Sequence, residues 1–327
     1  MKKITQTVAI ALVGLALATT SCKKDTVAPV EPTPTPTTPA LNKTNLKALF
    51  NNLKTPSETY VVNASNSDYH VCANGTKIII SPNAFLTKSG GSVTGIINIE
   101  VKDVLTKKDM ILNNAIPVSN GQLLVSGGEV YFNATQGGQA LKINPASSVM
   151  FLVPAGASPD YQMQEFYAKG SADLSETNLN WETPATATGS MVGQDSTGNV
   201  YYFSCDSVQW SNCDYFYNFT GAKTTCTVNT TGISNNSNTA IFISMNGTNV
   251  LASIKTSDYA NLSQAFVSYA NSLPVGSAYT IVAITYDGTN YFYSSQSITM
   301  VNNMVINMPA LTQTTLAQIK TNLTTLP

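Results

Sequence analysis

The chain has 327 residues, of which 43% are hydrophobic and 11% are charged, and its formal net charge is −1. The charged fraction is less than half of the quarter that is usual in soluble domains, so uncharged polar side chains supply most of the polarity. Because the lysines form no basic stripe, the composition argues against nucleic-acid binding. With a single histidine, metal motifs that need two histidines are excluded, and we expect neither a metal nor a cofactor.

The first 21 residues have the layout of a secretory signal peptide. A basic start (1–3) precedes an uncharged stretch of apolar or small residues (8–20) that is too short to span a membrane, and Ser21 and Cys22 follow. This layout resembles a bacterial lipoprotein signal, in which the peptide is cut before the cysteine and the thiol is acylated. The resemblance implies an exported lipoprotein that carries palmitate and is anchored in the cell envelope, in the outer membrane. The alternative is an ordinary export signal with an incidental cysteine.

Residues 22–40 are predicted to form a lipidated stalk. The segment from Thr26 to Ala40 reads TVAPVEPTPTPTTPA. Alternating Pro and Thr cannot build a core and favour extended polyproline II, with plain disorder as the alternative. Because more than one acyl chain is needed for stable attachment and a lipoprotein cysteine carries several, the stalk would lift the folded part from a permanent anchor.

The segment 41–175 is predicted to contain a short helix and a first domain of β-strands. Four apolar residues recur at helical spacing before Pro56, namely Leu46, Leu49, Phe50 and Leu53. From Glu58 onward, short runs rich in β-branched residues alternate with turn residues. The predicted strands are 60–62, 77–80, 96–104, 122–125, 129–134, 140–143 and 148–153, with hairpin turns at Asn120-Gly121 and Gly137-Gly138.

A polar stretch rich in Thr and Ala (173–189) is predicted to be a domain boundary, and strand signals resume after it in the second domain, 190–327. For residues 261–270 we favour a helical turn over a strand. The predicted strands are 200–203, 214–219, 240–245, 248–254, 279–286, 291–299 and 304–308, with hairpin turns at Asn246-Gly247 and Asp287-Gly288. A closing helix is marked by Leu316, Ile319 and Leu323.

Strands at this spacing predict an all-β fold of two antiparallel, immunoglobulin-like β-sandwich domains with short flanking helices. In the first half, residues 75–80 read GTKIII, residues 82–85 read PNAF, and residues 93–103 contain a long alternating strand. These residues resemble the β-sandwich module that ankyrins, netrin receptors and zonula occludens proteins share. The resemblance covers residues 75–153, and Ser81 adds one residue to the pattern.

A longer resemblance links the chain to a group of uncharacterised Bacteroidota-type envelope lipoproteins. The blocks that carry it are 108–111, 119–124, 126–129 and 133–135 in the first half, and Trp210, 212–214, 216–217 and 223–225 in the second. The group has no established activity, so this resemblance implies only fold and location. It also implies O-glycosylation at Asp-Ser/Thr-apolar triplets, which here would modify Thr26, Ser196 and Ser207.

Beyond Cys22, four cysteines remain for the folded part: Cys72, Cys205, Cys213 and Cys226. An even number in an exported chain permits disulfides, and four cysteines allow three connectivities among which the sequence cannot choose. A short bridge within 205–226 is geometrically feasible. The alternative is four buried free thiols, because a chain of this size does not need disulfide bonds for stability.

The sequence offers little evidence for a catalytic site. His70 and Cys72 would lie on one face of a strand, but with backbones about 6.5 Å apart. A sheet-face histidine beside a buried or bridged cysteine is therefore favoured over a catalytic pair. Hydrolysis by two carboxylates needs no histidine, yet no spacing singles out a pair. The candidate acids are Glu100, Asp103, Asp109, Glu129 and Glu165.

Aromatic residues cluster in two stretches, 201–219 and 286–293. Exposed rings stack on sugars or anchor protein partners, whereas strand alternation buries about half of such rings. We therefore expect a non-catalytic binding or structural module displayed on a tether, with an envelope polysaccharide or another surface protein as its partner. The alternative is a carbohydrate-active hydrolase or accessory protein that uses a carboxylate pair. The candidate binding aromatics are Trp210, Tyr215, Tyr217, Tyr291 and Tyr293.

Overall fold

The computed structural model describes residues 41–156, 159–174, 179–184, 192–195, 199–254 and 261–327. The predicted signal peptide and stalk, including Cys22 and Thr26, lie outside these residues, and so does Ser196. Residues 175–178 and 185–191, in and next to the predicted domain boundary, also lie outside them.

Three short helices occur among the described residues: α1 (Thr44–Leu53), α2 (Lys107–Asn113) and α3 (Leu316–Leu323). α1 buries the four apolar residues whose spacing predicts it. α3 follows Thr315, whose hydroxyl accepts a hydrogen bond from the Gln318 amide, and it buries two of its three marker residues. Both predicted helices are confirmed, whereas α2 has no counterpart among the predictions. None of the helices in the described part of the chain has the length and hydropathy that crossing a membrane requires.

Strands make up most of the regular structure, which confirms the all-β prediction. In chain order, the first ten strands are β1 (Glu58–Asn63), β2 (Asp68–Val71), β3 (Lys77–Ile80), β4 (Phe85–Thr87), β5 (Ile96–Val104), β6 (Val118–Ser119), β7 (Gln122–Gln136), β8 (Gln139–Ile143), β9 (Val149–Pro154) and β10 (Gln164–Ala168). The remaining strands are β11 (Gly193–Asp195), β12 (Val200–Ser204), β13 (Gln209–Phe216), β14 (Lys223–Thr224), β15 (Thr227–Asn229), β16 (Thr239–Met245), β17 (Leu251–Ile254), β18 (Ala265–Val267), β19 (Leu273–Pro274), β20 (Ala278–Tyr286), β21 (Tyr291–Thr299), β22 (Val305–Asn307) and β23 (Thr312–Thr314).

The first sandwich consists of two sheets that face each other. One sheet has the order β1-β5-β7-β13-β10; in addition, β6 and β8 pair with β7, and β4 pairs with β8. The other sheet has the order β11-β12-β9-β3-β2. Alternate residues of each strand point between the sheets and form one core. The core includes Ile78, Ile80, Ile99, Val101, Phe132, Phe151, Val153 and Phe203, none more than 2% exposed.

β7, with 15 residues, is the longest strand of the described chain, and it joins two runs that the sequence predicts as separate strands. The apolar pattern is interrupted at Gly127 and Gly128, close to a bulge in the partner strand β13 between Asn212 and Asp214. Gly128 has a φ of +136°, and a Cβ atom there would lie 2.7 Å from Val153 Cγ1. Glycine is therefore required where this strand passes over the core.

All four predicted hairpin turns are confirmed. Both residues of Asn120-Gly121 and of Gly137-Gly138 have positive φ, the type I′ geometry that suits a two-residue hairpin loop. The turns at 246–247 and 287–288 connect β16 to β17 and β20 to β21.

The second sandwich has fewer strands. Its sheets have the orders β17-β16-β20-β21-β23 and β18-β15-β22, and β14 pairs separately with β19. β15 and β22 run parallel, while the other strand pairs among the described residues are antiparallel. The helical turn predicted at 261–270 is wrong, because β18 lies within this segment. There Phe266 pairs with Val228 and is buried in the core, so tertiary packing decides against the helix.

Strand pairing crosses the predicted domain boundary. β12 pairs with β9, and β13 lies between β7 and β10, so both strands belong to the first sandwich. The sequence assigns residues 200–216 to the second domain, and the pairing corrects this assignment. Without β12 and β13, the buried strands β7 and β9 would keep unpaired backbone groups along one edge. The described residues between 41 and 327 form one compact unit.

A single cluster of buried side chains connects the two sandwiches. α1 packs against β20, and the Leu46 amide donates to the Ser237 carbonyl at 3.0 Å. The same cluster contains Trp210 on the outer face of the first sandwich and Ile241 in the second. The two sandwiches therefore share apolar contacts in addition to the connecting chain.

Candidate functional site

A groove of about 530 Å³ lies where the two sandwiches meet, and it contains one of the predicted binding residues, Tyr217. We call it the Tyr217 groove. Its volume is within the range of small-ligand sites. The lining residues are Asn120, Gly121, Gln122, Leu123, Phe216, Tyr217, Asn218, Lys223, Tyr269, Ala270, Asn271 and Ser272.

The first wall of the groove is the hairpin between β6 and β7. Asn120 exchanges side-chain and backbone hydrogen bonds with Asn180, which holds the turn in place. A Cβ atom on Gly121 would lie 3.3 Å from Cδ1 of the Tyr269 ring. The absence of a side chain at Gly121 therefore lets the ring approach the backbone closely.

The second wall is the end of β13. Phe216 pairs with Leu124, and the Tyr217 amide continues the ladder by donating to the Leu123 carbonyl at 3.0 Å. The Tyr217 ring lies parallel to the Phe219 ring, with centroids 6.4 Å apart and an interplanar angle of 7°. Tyr217 is half-buried and lines the groove, so part of this residue is accessible there.

The third wall is the turn between β18 and β19. The Asn271 amide donates to Thr225 Oγ1 at 2.9 Å, and the Ser272 hydroxyl donates to the Tyr269 carbonyl at 2.9 Å. β14 pairs with β19, which places Lys223 opposite Pro274 at the rim of the groove. Three segments that are distant in sequence are thus fixed around one space.

The groove combines ring faces with uncharged hydrogen-bonding groups. Gln122, Asn218 and Asn271 are exposed, and each amide side chain offers donors and an acceptor. Sugars present apolar C–H faces and hydroxyl edges, which match aromatic rings and amides respectively. The lining residues include no carboxylate, histidine or cysteine, so the groove has neither a carboxylate pair for glycoside hydrolysis nor a thiol nucleophile.

Trp210 is not a binding residue, and this prediction is wrong. Its side chain is 1% exposed, and its indole Nε1 donates to the Ser171 carbonyl at 2.9 Å. The ring packs against Tyr131 and Trp181, with centroid distances of 5.4 and 6.4 Å. Trp210 is therefore part of the core and cannot present its ring to a ligand.

The other candidate aromatics lie outside the groove. Tyr215 is half-buried against both cores, and burial raises the pKa of its hydroxyl to about 12. Tyr291 and Tyr293 are half-buried against the second core, and the Tyr291 ring lies 4.8 Å from that of Tyr286. Of the five candidate rings, only that of Tyr217 lines this groove.

Phe216 and Tyr269 are groove residues that the candidate set lacks. Tyr269 lies in the segment predicted to be a helical turn, where the structure has a strand followed by a turn. The turn-forming Asn271, which has a φ of +47°, is the sequence signal that would have indicated a turn directly after this ring.

All four cysteines of the folded part are buried free thiols, which is one of the two alternatives that the sequence leaves open. Cys72, Cys205 and Cys213 lie in the core of the first sandwich, and Cys226 lies in the other cluster. Burial raises the pKa of every one of these thiols, that of Cys226 to about 11. They are poor nucleophiles in the folded protein, because thiolates are the reactive form.

Two buried carboxyl groups lie together on β7 and β13. Glu129 is 0% exposed, pairs with Asn212, and has no hydrogen-bond partner for either carboxyl oxygen among the described residues. Asp214 is also fully buried and accepts from Asn212 Nδ2 at 2.5 Å. Burial, and next the negative charge of Asp214, hold the pKa of Glu129 well above its usual range. Burial likewise holds the pKa of Asp214 well above its usual range.

The remaining candidate acids have structural roles or lie apart from the groove. Asp103 accepts from the Asn74 and Thr76 amides, which fixes the turn between β2 and β3. Asp109 forms a capping box with Thr106 at the start of α2. Glu165 is buried, which raises its pKa to about 8, and Glu100 lies on β5.

His70 lies beside Glu58 and Tyr60. Its Nε2 is 3.2 Å from Glu58 Oε2, and its ring stacks on Tyr60 with centroids 4.0 Å apart. The described residues contain no group of three or more histidine, cysteine or acidic side chains that could hold a metal ion. Ser207, the glycosylation candidate within the described residues, is exposed, so its modification stays a prediction.

No protein-family model, curated protein or solved structure matches the chain.

Proposed function

We propose that this chain is a non-catalytic binding module of the cell envelope, a Bacteroidota-type lipoprotein tethered through Cys22, and that the Tyr217 groove binds an envelope polysaccharide. The observation that carries the proposal is the meeting of Tyr217 and Tyr269 with exposed amide side chains in one groove. Another surface protein is the less favoured partner, because protein hot spots centre on large apolar anchors in dry pockets. The lining here is mainly amide, hydroxyl and backbone groups.

The position of the acids supports binding over hydrolysis. Glycoside hydrolysis needs two carboxyl groups that reach the scissile bond from either side. Glu129 and Asp214 are both fully buried, and neither lines the Tyr217 groove. A pair that substrate cannot reach has a structural role rather than a catalytic one.

Binding is tested by titrating the purified mature chain with a panel of envelope polysaccharides while recording both affinity and product. Tyr217→Ala removes a ring from the groove and should weaken binding about fivefold, since ring stacking contributes about 1 kcal/mol. Tyr291→Ala is the matched control, because this half-buried tyrosine lies outside the groove. Equal affinity for wild type and Tyr217→Ala, or turnover of a panel member, would overturn the proposal.

The anchor is tested separately by cell fractionation. Cys22→Ala should move the protein from the membrane fraction to a soluble one, because the acylated thiol is lost. Incorporation of labelled fatty acid into Cys22→Ala would show that the assignment of the lipid to this residue is wrong. Wild-type protein that fractionates with the inner membrane would contradict the proposed outer-membrane location.

A further inference from the structure

The Tyr217 groove carries one charged side chain among its lining residues, Lys223. Lys223 is exposed, and its backbone is fixed by the pairing of β14 with β19. None of the other lining residues is acidic, so the groove offers a positive charge without a neighbouring negative one. Among the described residues, no carboxylate forms an ion pair with Lys223.

Lysine supplies all the permanent positive charge of the side chains in this chain. The 17 basic residues are all lysines, and the sequence contains no arginine. Lysine presents a compact charge on a flexible stem, which can follow a single anionic group without the fixed fork geometry of arginine. An anionic group on a ligand would be attracted to this ammonium group, whereas a neutral ligand would form no ion pair with it.

We infer that the Tyr217 groove takes a sugar that carries a carboxylate, a uronic acid unit of an acidic polysaccharide. This inference rests on the proposed function and adds the ligand class. The Tyr217 ring contacts the C–H face of the sugar, amides such as Asn218 and Asn271 bind its hydroxyls, and Lys223 pairs with the carboxylate. The pair is exposed to water, so its contribution to affinity is modest and falls as salt is added.

The test compares two ligands that differ only in charge: an oligomer of glucuronic acid units, and the same oligomer with its carboxyl groups reduced to primary alcohols. The mature full-length chain should bind the acidic oligomer about 1.5-fold to fivefold more tightly at low salt, the range expected for an exposed ion pair. This preference should shrink at high salt, because the Debye length falls to about 3 Å at 1 M.

Three variants separate the contributions. Lys223→Gln should lower the affinity for the acidic oligomer to that for the reduced one. Lys88→Gln, at an exposed lysine in the turn after β4, is the charge-matched control and should retain the preference. Tyr217→Ala should weaken binding of both oligomers by a similar factor.

The outcomes distinguish this inference from the proposed function. If the wild-type chain binds both oligomers equally, or if Lys223→Gln keeps the preference, the ligand class is wrong while glycan binding stands. If neither oligomer binds, the inference fails, and binding of another panel polysaccharide then decides whether the proposed function also fails.

Discussion

The two ends of β13 carry similar aromatic residues that differ in how deeply they are buried. At one end, Trp210 lies between Ala168 of β10 and Tyr131 of β7 and is 1% exposed. At the other end, β10 stops opposite Asp214, so Tyr215 and Phe216 pair on one side only, with β7. The strand becomes an edge there, and Tyr217 just beyond it is half-buried in the groove. Strand pairing, rather than aromatic content, decides which ring can meet a ligand.

The largest expected effect lies at the covered end of the strand. Trp210→Ala should lower the free energy of unfolding by about 3–5 kcal/mol, because it removes a buried ring from contact with Tyr131 and Trp181. Chemical denaturation measures the change. Trp210→Phe is the control and should lose less, because it keeps a ring in the core. A loss below about 1 kcal/mol for Trp210→Ala would contradict the contrast between the two ends.

The buried acid on the neighbouring strand gives the second effect, a dependence of stability on pH. Glu129 keeps its proton in the folded state, while the unfolded chain releases it above a pKa of about 4.3. Above that pH the unfolded state binds fewer protons, so stability should fall by about 1.4 kcal/mol per pH unit from this residue. The fall continues until the raised folded-state pKa is reached.

Glu129→Gln should remove this contribution. Thermal unfolding measured in steps of about one pH unit between about pH 5 and 7 would then show a smaller slope of stability against pH. Glu182→Gln, at an exposed acid, is the control and should keep the wild-type slope. An identical slope for wild type and Glu129→Gln would show that Glu129 is ionised in the folded protein.

Part of the difference between the two ends of β13 is predictable from sequence. The alternation of apolar residues and the four turn dipeptides identify the β-sandwich character and most of the hairpins, because these signals are local. The pairing of β12 and β13 with the first sandwich is not local: it depends on which edges of β7 and β9 remain open after the chain has passed through 175–191. The assignment of Trp210 fails for this reason.

The third expected effect uses two glycines at the opposite ends of β7. Gly121 and Gly138 have φ values of +81° and +76°, so alanine at either position should cost about 1 kcal/mol through backbone strain. Only at Gly121 would the new Cβ meet a neighbour, Tyr269, whereas nothing lies within 4 Å at Gly138. Gly121→Ala should therefore change ligand affinity in the groove, and Gly138→Ala should not. Titration of both variants with the same polysaccharide measures the difference.

The smallest expected effect is the loss of stability caused by truncating Tyr217, at the end of β13 that β10 does not cover. Tyr217→Ala should lower the free energy of unfolding by about 1 kcal/mol or less, since the ring is only half-buried. Denaturant titration beside Trp210→Ala provides the direct comparison. A loss as large as that of Trp210→Ala would mean that Tyr217 is a core residue, and its use as a binding ring would have to be abandoned.

The groove itself shows where sequence reasoning stops. Tyr217 is found because it belongs to an aromatic cluster, and Asn120-Gly121 because it is a turn dipeptide. Tyr269 comes from a segment whose strand is set by the pairing of Phe266 with Val228, a contact between residues far apart in the chain. A site built by three segments becomes visible only when their packing is known.

The central position of β13 also affects how the molecule is made. β7 and β10 both precede β13 in the chain, and β13 lies between them in the finished sheet. Until β13 arrives, the edge of β7 that it occupies in the finished sheet has no strand partner. During that interval the nascent chain is exposed to pairing with other chains. Substitutions that slow the arrival of β13 at this edge should therefore reduce yield without changing the finished protein.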